Sequence, residues 1–431
     1  MLKVGAMHEL PLHGQVNMEL YLIIILIAYL LVVVFGYWLD YLNLSHLKKH
    51  GSVIPAEFEG YIDQALLNKT LEYNIEHTKF DFISSIFNNV VFLIFIFILL
   101  NIYNAWIVSL SLSFILSGLV FFLLLTYAET IISIPFSLYS TFKIENKYGF
   151  NTMTFKLWIS DTIKSLVIST ALMSLVLTIG LLIIQKNPDT WWLWVWCFFL
   201  GFGIFMMYIS PYVIEPLFHK FTPIENEELE SGIRNLMQKA GIKVSRVFKM
   251  DASKRTKHTN AYFTGIGKVK RIVLYDTLIE KMDKDEVLAV LAHEAGHWKK
   301  KHLLKHIIAT ETIALIVMYV SYQFLQSNFL PAIFNIENST FFAKIVVLGF
   351  IGSIVSFPFS PAFNYFSRRH ENEADKYSYE MTGNKESMIS GLVKLSKDNL
   401  SNLRPHPLYA LFHYSHPPVL ERIRKIKEFV R

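Results

Sequence analysis

The apolar residues of this chain come in long unbroken runs rather than in stripes of period 2 or 3.6, and seven runs are long enough to cross a bilayer. They extend from Met18 to Tyr37, Phe82 to Ile102, Trp106 to about Tyr127, Ser165 to Ile184, Trp191 to Ser210, Ile307 to Phe329 and Ile345 to Phe366. The second and third lie in one charge-free block, Phe82 to Ala128, which Asn101 to Asn104 is expected to break into a hairpin. Between runs the patterning changes. Leu39 to Asp81 mixes charges in short helical segments, and Lys143 to Phe155 is a charged, aromatic loop turning at Gly149. From Glu225 to about Lys301 the composition turns soluble. A helix is expected near Glu227 to Ala240, followed by short strands around Val244 to Lys249, His258 to Phe263 and Arg271 to Leu274. Asp283 and Glu286 then form a capping box that starts a helix through Val287, Leu288, Val290 and Leu291. The fold class expected is an all-α polytopic membrane protein with a small cytosolic α+β unit. Residues 1–214 hold spans one to five, 215–306 the soluble segment, 307–366 spans six and seven, and 367–431 a C-terminal segment.

Composition agrees: 53% of the 431 residues are hydrophobic and only 18% charged, which excludes an ordinary soluble enzyme. The first run is too long for a signal-peptide core, and Leu39, Asp40 and Tyr41 after it offer no small-residue cleavage site, so it is expected to remain as a helix. The polar residues ahead of it match no targeting signal. Lysine and arginine set the orientation. Loops on the N-terminal side hold little beyond Lys3, Lys186 and Lys344, whereas the other side carries Lys48, Lys49, Lys143, Lys147, Lys156, the lysine-rich 220–305 region and Arg368-Arg369. The soluble segments are therefore expected in the cytosol. A net charge of +6 suits a membrane protein beside anionic lipid and does not call for nucleic acid. The single cysteine, Cys197, allows neither an intramolecular disulfide nor a cysteine-based metal site.

Candidate chemistry sits in the capped helix, which reads His293-Glu294-Ala295-Gly296-His297, an HExxH pattern. Histidines four apart on a helix share a face and can bind one Zn2+, with Glu294 beside them toward the attacking water. The longer HExxHxxGxxH pattern is ruled out, because Lys300 and Leu303 occupy the positions of its Gly and His. A third ligand is found beyond the last two spans, where Glu371 and Asp375 share a helical face. Glu371 completes a His2Glu set with one position left open, and Asp375 can accept the free ring N–H of a ligand histidine. Glu373 points off this face and is the weaker candidate. Asn260-Ala261-Tyr262 is the natural edge against which an extended peptide could pair, although the same residues also read as a plain strand end. In the tail, His416 could donate to an oxyanion and Arg422 could hold a substrate carbonyl or carboxylate. Equally, His416-Pro417-Pro418 reads as a turn and Arg422 as a solvated helix residue. Glu129, Asn88, Asn89 and Glu311 inside the spans suggest a wet interior or pairing within a tight bundle.

With these residues in hand, the chain resembles the type 1 CAAX prenyl proteases, integral-membrane zinc metalloproteases. The resemblance is carried by IENKYGFN at 144–151, EPLFHKFTP at 215–223, NAYFTG at 260–265, RIVLYDTL at 271–278, HEAGH at 293–297, RRHENEAD at 368–375 and SHPPVLERI at 415–423. It implies seven helices forming a barrel around a large chamber, with one Zn2+ per chain at its cytosolic end. It also implies His293, His297 and Glu371 as ligands, Glu294 as general base, Asp375 behind a ligand, Asn260 on the substrate strand, and His416 and Arg422 in catalysis. The implied substrate is a peptide or protein, prenylated at a C-terminal CAAX cysteine, that loses its last three residues. A broader membrane-protein or peptide quality-control protease is the alternative, especially in a bacterium, and a scaffold with a structural zinc is another. The membrane expected is the cell membrane in a bacterium, and the endoplasmic reticulum or inner nuclear membrane in a eukaryote. His370 departs from the family's usual residue before Glu371 and is expected to point away from it.

Overall fold

The computed structural model describes residues 12–264 and 269–430, so much of the polar stretch before the first run, Lys3 included, lies outside the described residues. The first five runs become helices α1 (Leu12–His50), α2 (Gln64–Ile94, continued through a π-turn at Phe95–Leu99 to Ser109), α3 (Phe114–Tyr139), α4 (Phe155–Lys186) and α5 (Trp191–Val213). The hairpin between the second and third runs is displaced from its expected position. Asn101 to Asn104 lies inside the helix, and the chain turns at 110–113, where Ser111 adopts φ 50° and the Ser113 hydroxyl accepts from Leu116 N. Asn104 is fully buried, donates to the carbonyls of Glu337 (3.1 Å) and Asn338 (3.3 Å), and accepts from Thr340 N (3.0 Å) and Oγ1 (2.7 Å). A fully bonded amide costs little to bury, so the residue expected to break the helix instead ties it to a distant loop.

The soluble unit is built from β1 (Phe221–Pro223), α6 (Glu227–Ala240), β2 (Lys243–Met250), β3 (Ala261–Thr264), β4 (Val269–Tyr275) and α7 (Lys284–Lys299). The sheet order is β1-β2-β4-β3, with the middle pair parallel and both outer pairs antiparallel. Its apolar face packs Ile272 and Leu274 against Ile233 and Met237 of α6 and Leu291 of α7, all fully buried. Among the described residues β3 pairs only with β4, in the register Ala261 with Leu274 through Thr264 with Arg271, and lies at the end of the sheet. β1, three residues ending in a proline, is too short a strand to carry a periodicity in the sequence.

The chain returns to the membrane as α8 (His302–Gln326) and α9 (Phe341–Ser356), and a 3₁₀ step at Phe357–Phe359 leads directly into α10 (Ser360–Thr382). The expected boundary at residue 366 thus falls inside a helix that carries Glu371 down from the membrane. The remainder forms α11 (Lys385–Asp398), α12 (Pro407–His413) and α13 (Val419–Glu428). Packing runs α1 to α2 to α3 to α4 to α5 to α8 to α9 and back to α1, a closed ring of seven. In their most apolar stretches these helices bury at most 22% of their residues, and α8 buries 0%. Apart from α9, which also meets α3 through Phe342 and Phe121, the helices pack mainly on their ring neighbours, leaving one face for lipid and one for an interior chamber. A cluster including Leu100, Phe121, Leu330, Phe342 and Phe350 packs one end of the ring. The soluble unit sits at the other. Among polar residues of the spans, Asn89 bonds the hydroxyls of Tyr29 (2.9 Å) and Tyr37 (2.8 Å), whereas Asn88 and Glu129 are exposed.

Candidate active site

The seam between α7 and α10 brings the candidate residues together. The predicted capping box forms: the Asp283 carboxylate accepts from Glu286 N (3.0 Å) and Glu286 Oε2 from Asp283 N (2.9 Å). Glu286 is itself buried and also takes Ser390 and Lys394 of α11, which fixes the start of α7. One residue before His297, Gly296 permits the close approach: a Cβ there would stand 3.0 Å from Ala374 Cα and 3.2 Å from its carbonyl oxygen. Only glycine lets the two backbones come so near. Ser378 Oγ adds a bond to the Ala289 carbonyl at 2.8 Å, locking the register of the two helices.

That register sets three donor atoms against one another. His293 Nε2 lies 3.2 Å from Glu371 Oε2, His297 Nε2 3.2 Å from Glu371 Oε1, and the two imidazole Nε2 atoms are 3.1 Å apart. Buried Glu371 Oε2 nevertheless makes no hydrogen bond among the described residues, although His293 is at hydrogen-bond distance. One ligand atom from each of His293, His297 and Glu371 lies within 4.8 Å of the others, the spacing of a metal donor set. Ligands at about 2.0–2.2 Å from a tetrahedral ion stand about 3.3–3.6 Å apart, so three atoms 3.1–3.2 Å apart need only a slight spreading to fit a metal such as zinc. Among the described residues this is the one His/Cys/Asp/Glu group with metal-ligand spacing, and Glu373 is outside it.

Behind His293, Asp375 Oδ1 accepts from Nδ1 at 2.8 Å. Asp375 is buried and gripped by a guanidinium fork, Arg422 Nε to Oδ2 at 2.9 Å and Nη2 to Oδ1 at 2.6 Å. Burial pulls the His293 imidazole down, but the adjacent Asp375 carboxylate outweighs it and raises the group to about 9. Arg422 is therefore no solvated helix residue: its Nε and Nη2 are engaged by Asp375, and it lines the same cleft as His293 and Glu294. His416 Nε2 stands 3.4 Å from Glu371 Oε1 with most of the ring exposed, and its Nδ1 meets Ser415 Oγ at 3.0 Å. Glu294 lines the same cleft as Asn260, Ala261, His293, Glu371 and His416, and accepts no hydrogen bond among the described residues. Tyr262 does not line this cleft. Strand alternation turns it to the opposite face from Ala261, where its hydroxyl donates to Glu215 at 2.8 Å.

Sequence reasoning gave the Lys143–Phe155 loop no role, yet it anchors the lead-in to β3. His258 stacks on Phe150 with centroids 4.1 Å apart, and its ring meets Asn399 Oδ1 at 2.8 Å and Glu145 Oε2 at 3.4 Å. Glu145 also accepts from Tyr73 (2.9 Å) and meets His77 (2.8 Å), which ties the strand to the membrane helices. Gly149 ends the loop's helical turn with φ 83°, as its position suggested. The signal was the IENKYGFN string itself; charge and spacing alone held none.

Comparison with known proteins places this geometry. Residues 43–220 match the family model described as CAAX prenyl protease N-terminal, five membrane helices, and residues 223–430 match peptidase family M48. The chain is 34% identical over 413 residues to CAAX prenyl protease 1 of Saccharomyces cerevisiae, covering 89% of each chain. It is 32% identical to the uncharacterized metalloprotease YhfN of Bacillus subtilis, covering 70% of this chain and 72% of that one. The crystal structure of S. mikatae Ste24p superposes with a TM-score of 0.85 at 32% identity, over 93% of this chain and 98% of that one.

Proposed function

The chain belongs to the CAAX prenyl protease 1 family of integral-membrane zinc metalloproteases, and from that premise we propose that it removes the C-terminal tripeptide of prenylated CAAX substrates at the cleft between β3 and the α7–α10 seam. His293, His297 and Glu371 would hold one zinc ion. When bound, it supplies Lewis acidity to the scissile carbonyl and lowers the pKa of the attacking water. Glu294, free of partners in the cleft, takes the proton from that water on a carboxylate oxygen and returns it to the leaving amine. The substrate backbone adds to the open edge of β3 at Asn260 and Ala261, which holds an extended chain over the donors. His416 donates from Nε2 to the oxyanion, and Arg422 acts through Asp375 to hold His293 in the tautomer that offers Nε2. The chamber accommodates the lipid, and the lysine distribution supports a site on the cytosolic side of the membrane.

The observation that carries this reading is the convergence of three donor atoms beside an unpartnered Glu294 in a cleft walled by a free strand edge. It is tested with the purified full-length protein in detergent, given a farnesylated CAAX peptide and its unprenylated twin, the products identified by mass. Release of the tripeptide from the farnesylated peptide alone is the expected result. Equal cleavage of both would make the enzyme a broader membrane peptidase, and cleavage at other bonds only would overturn the substrate assignment.

A further inference from the structure

His297 has a support of its own on the side away from the cleft. Lys301 adopts a left-handed conformation, φ 56°, and folds the chain sharply between α7 and α8. The turn brings His302, whose side chain is only 3% exposed, back beside the helix it has just left. His302 Nδ1 lies 3.1 Å from His297 Nδ1, and His302 Nε2 lies 3.1 Å from Glu373 Oε2. The His370 ring stacks on His302 with centroids 4.1 Å apart and planes at 13°, and Arg369 Nε donates to Glu373 Oε1 at 3.3 Å.

One proton arrangement satisfies every contact. His297 directs Nε2 at the donor cluster, so Nδ1 carries its proton and donates to His302 Nδ1. His302 then carries its own proton on Nε2, where Glu373 accepts it. The chain His297–His302–Glu373 parallels His293–Asp375–Arg422, with a neutral imidazole set between ligand and carboxylate. We propose that His302, held by Glu373 and clamped flat by His370, is a positioning residue that fixes the tautomer and ring plane of His297 for metal binding. This rests on the zinc reading of the donor cluster. It also gives Glu373 and His370 a role that neither their spacing nor a ligand function supplies.

The test is zinc release from full-length protein in detergent to a colorimetric chelator, with melting of the chelator-stripped proteins as the control. His302→Phe keeps a ring of similar size without an acceptor, whereas His302→Asn keeps an acceptor near the position of Nδ1. Zinc is expected to leave His302→Phe about 10–100-fold faster than wild type, the usual effect of losing a partner behind a ligand. His302→Asn should release it close to the wild-type rate, and the stripped Phe variant should melt with stripped wild type. Release at the wild-type rate from His302→Phe overturns the proposal, as does equal melting loss in both variants without a split in release. If His302→Phe does not fold, Glu373→Met, which removes the acceptor facing His302 Nε2, is read on the same scale: faster release supports the proposal and unchanged release overturns it. A wild type that holds no zinc would sink the zinc reading itself, an outcome distinct from the other two.

Discussion

The ring of membrane helices and the α7–α10 seam spend their residues in opposite ways. The apolar stretch of α8 buries 0% of its residues, whereas Glu371, Ala374, Asp375 and Ser378 on a single helix of the seam are all at most 4% exposed. The ring needs only length, apolarity and neighbour contacts, because lipid on one face and a chamber on the other ask for no side-chain complementarity. The seam needs a glycine at one contact point, two carboxylates one turn apart and a partner for each ring nitrogen. Enclosure and chemistry are thus separable demands, and single substitutions should affect them separately.

The sharpest separation comes from Glu371→Ala. Removing one of three donors leaves two imidazoles that cannot hold the ion alone, so metal content and peptide cleavage should both fall to background while the protein still folds in detergent; retained zinc would move the third ligand elsewhere. Asp375→Asn is milder. It leaves Arg422 without its charge partner and permits the wrong His293 tautomer, so zinc affinity should drop about 10–100-fold in a chelator competition. The smallest effect on the site belongs to Asn104→Ala, at the far end of the ring. The unpaired Thr340 amide and loop carbonyls should cost about 1–3 kcal/mol of stability, read as earlier thermal unfolding. Turnover and zinc per folded molecule should not change. A loss of turnover there would mean that ring and seam are coupled.

The same contrast explains what the sequence allowed to be read. Span positions follow from runs of apolar residues, and His293, His297, Glu371 and Asp375 follow from four-residue spacing on helices, both of which are local patterns. Features that depend on partners far along the chain were not visible. Asn104 looks like a helix breaker until Thr340 is beside it, and Arg422 looks solvated until Asp375 fills its fork. The direction of Tyr262 depends on where β3 begins, one residue after Asn260, and a shift of one residue reverses the face. His302 carries no motif of its own. Its relation to His297 is made by the left-handed turn at Lys301, which no periodicity marks.

The central claim is that this seam divides labour between three residues that hold zinc and one that moves a proton. Metal content and cleavage of a farnesylated peptide, measured together on Glu294→Gln, test it most directly. The account predicts zinc at the wild-type level with turnover reduced about 10²–10⁴-fold, since the ligands stay and the general base is gone. Turnover near the wild-type rate, or zinc lost along with activity, would contradict it.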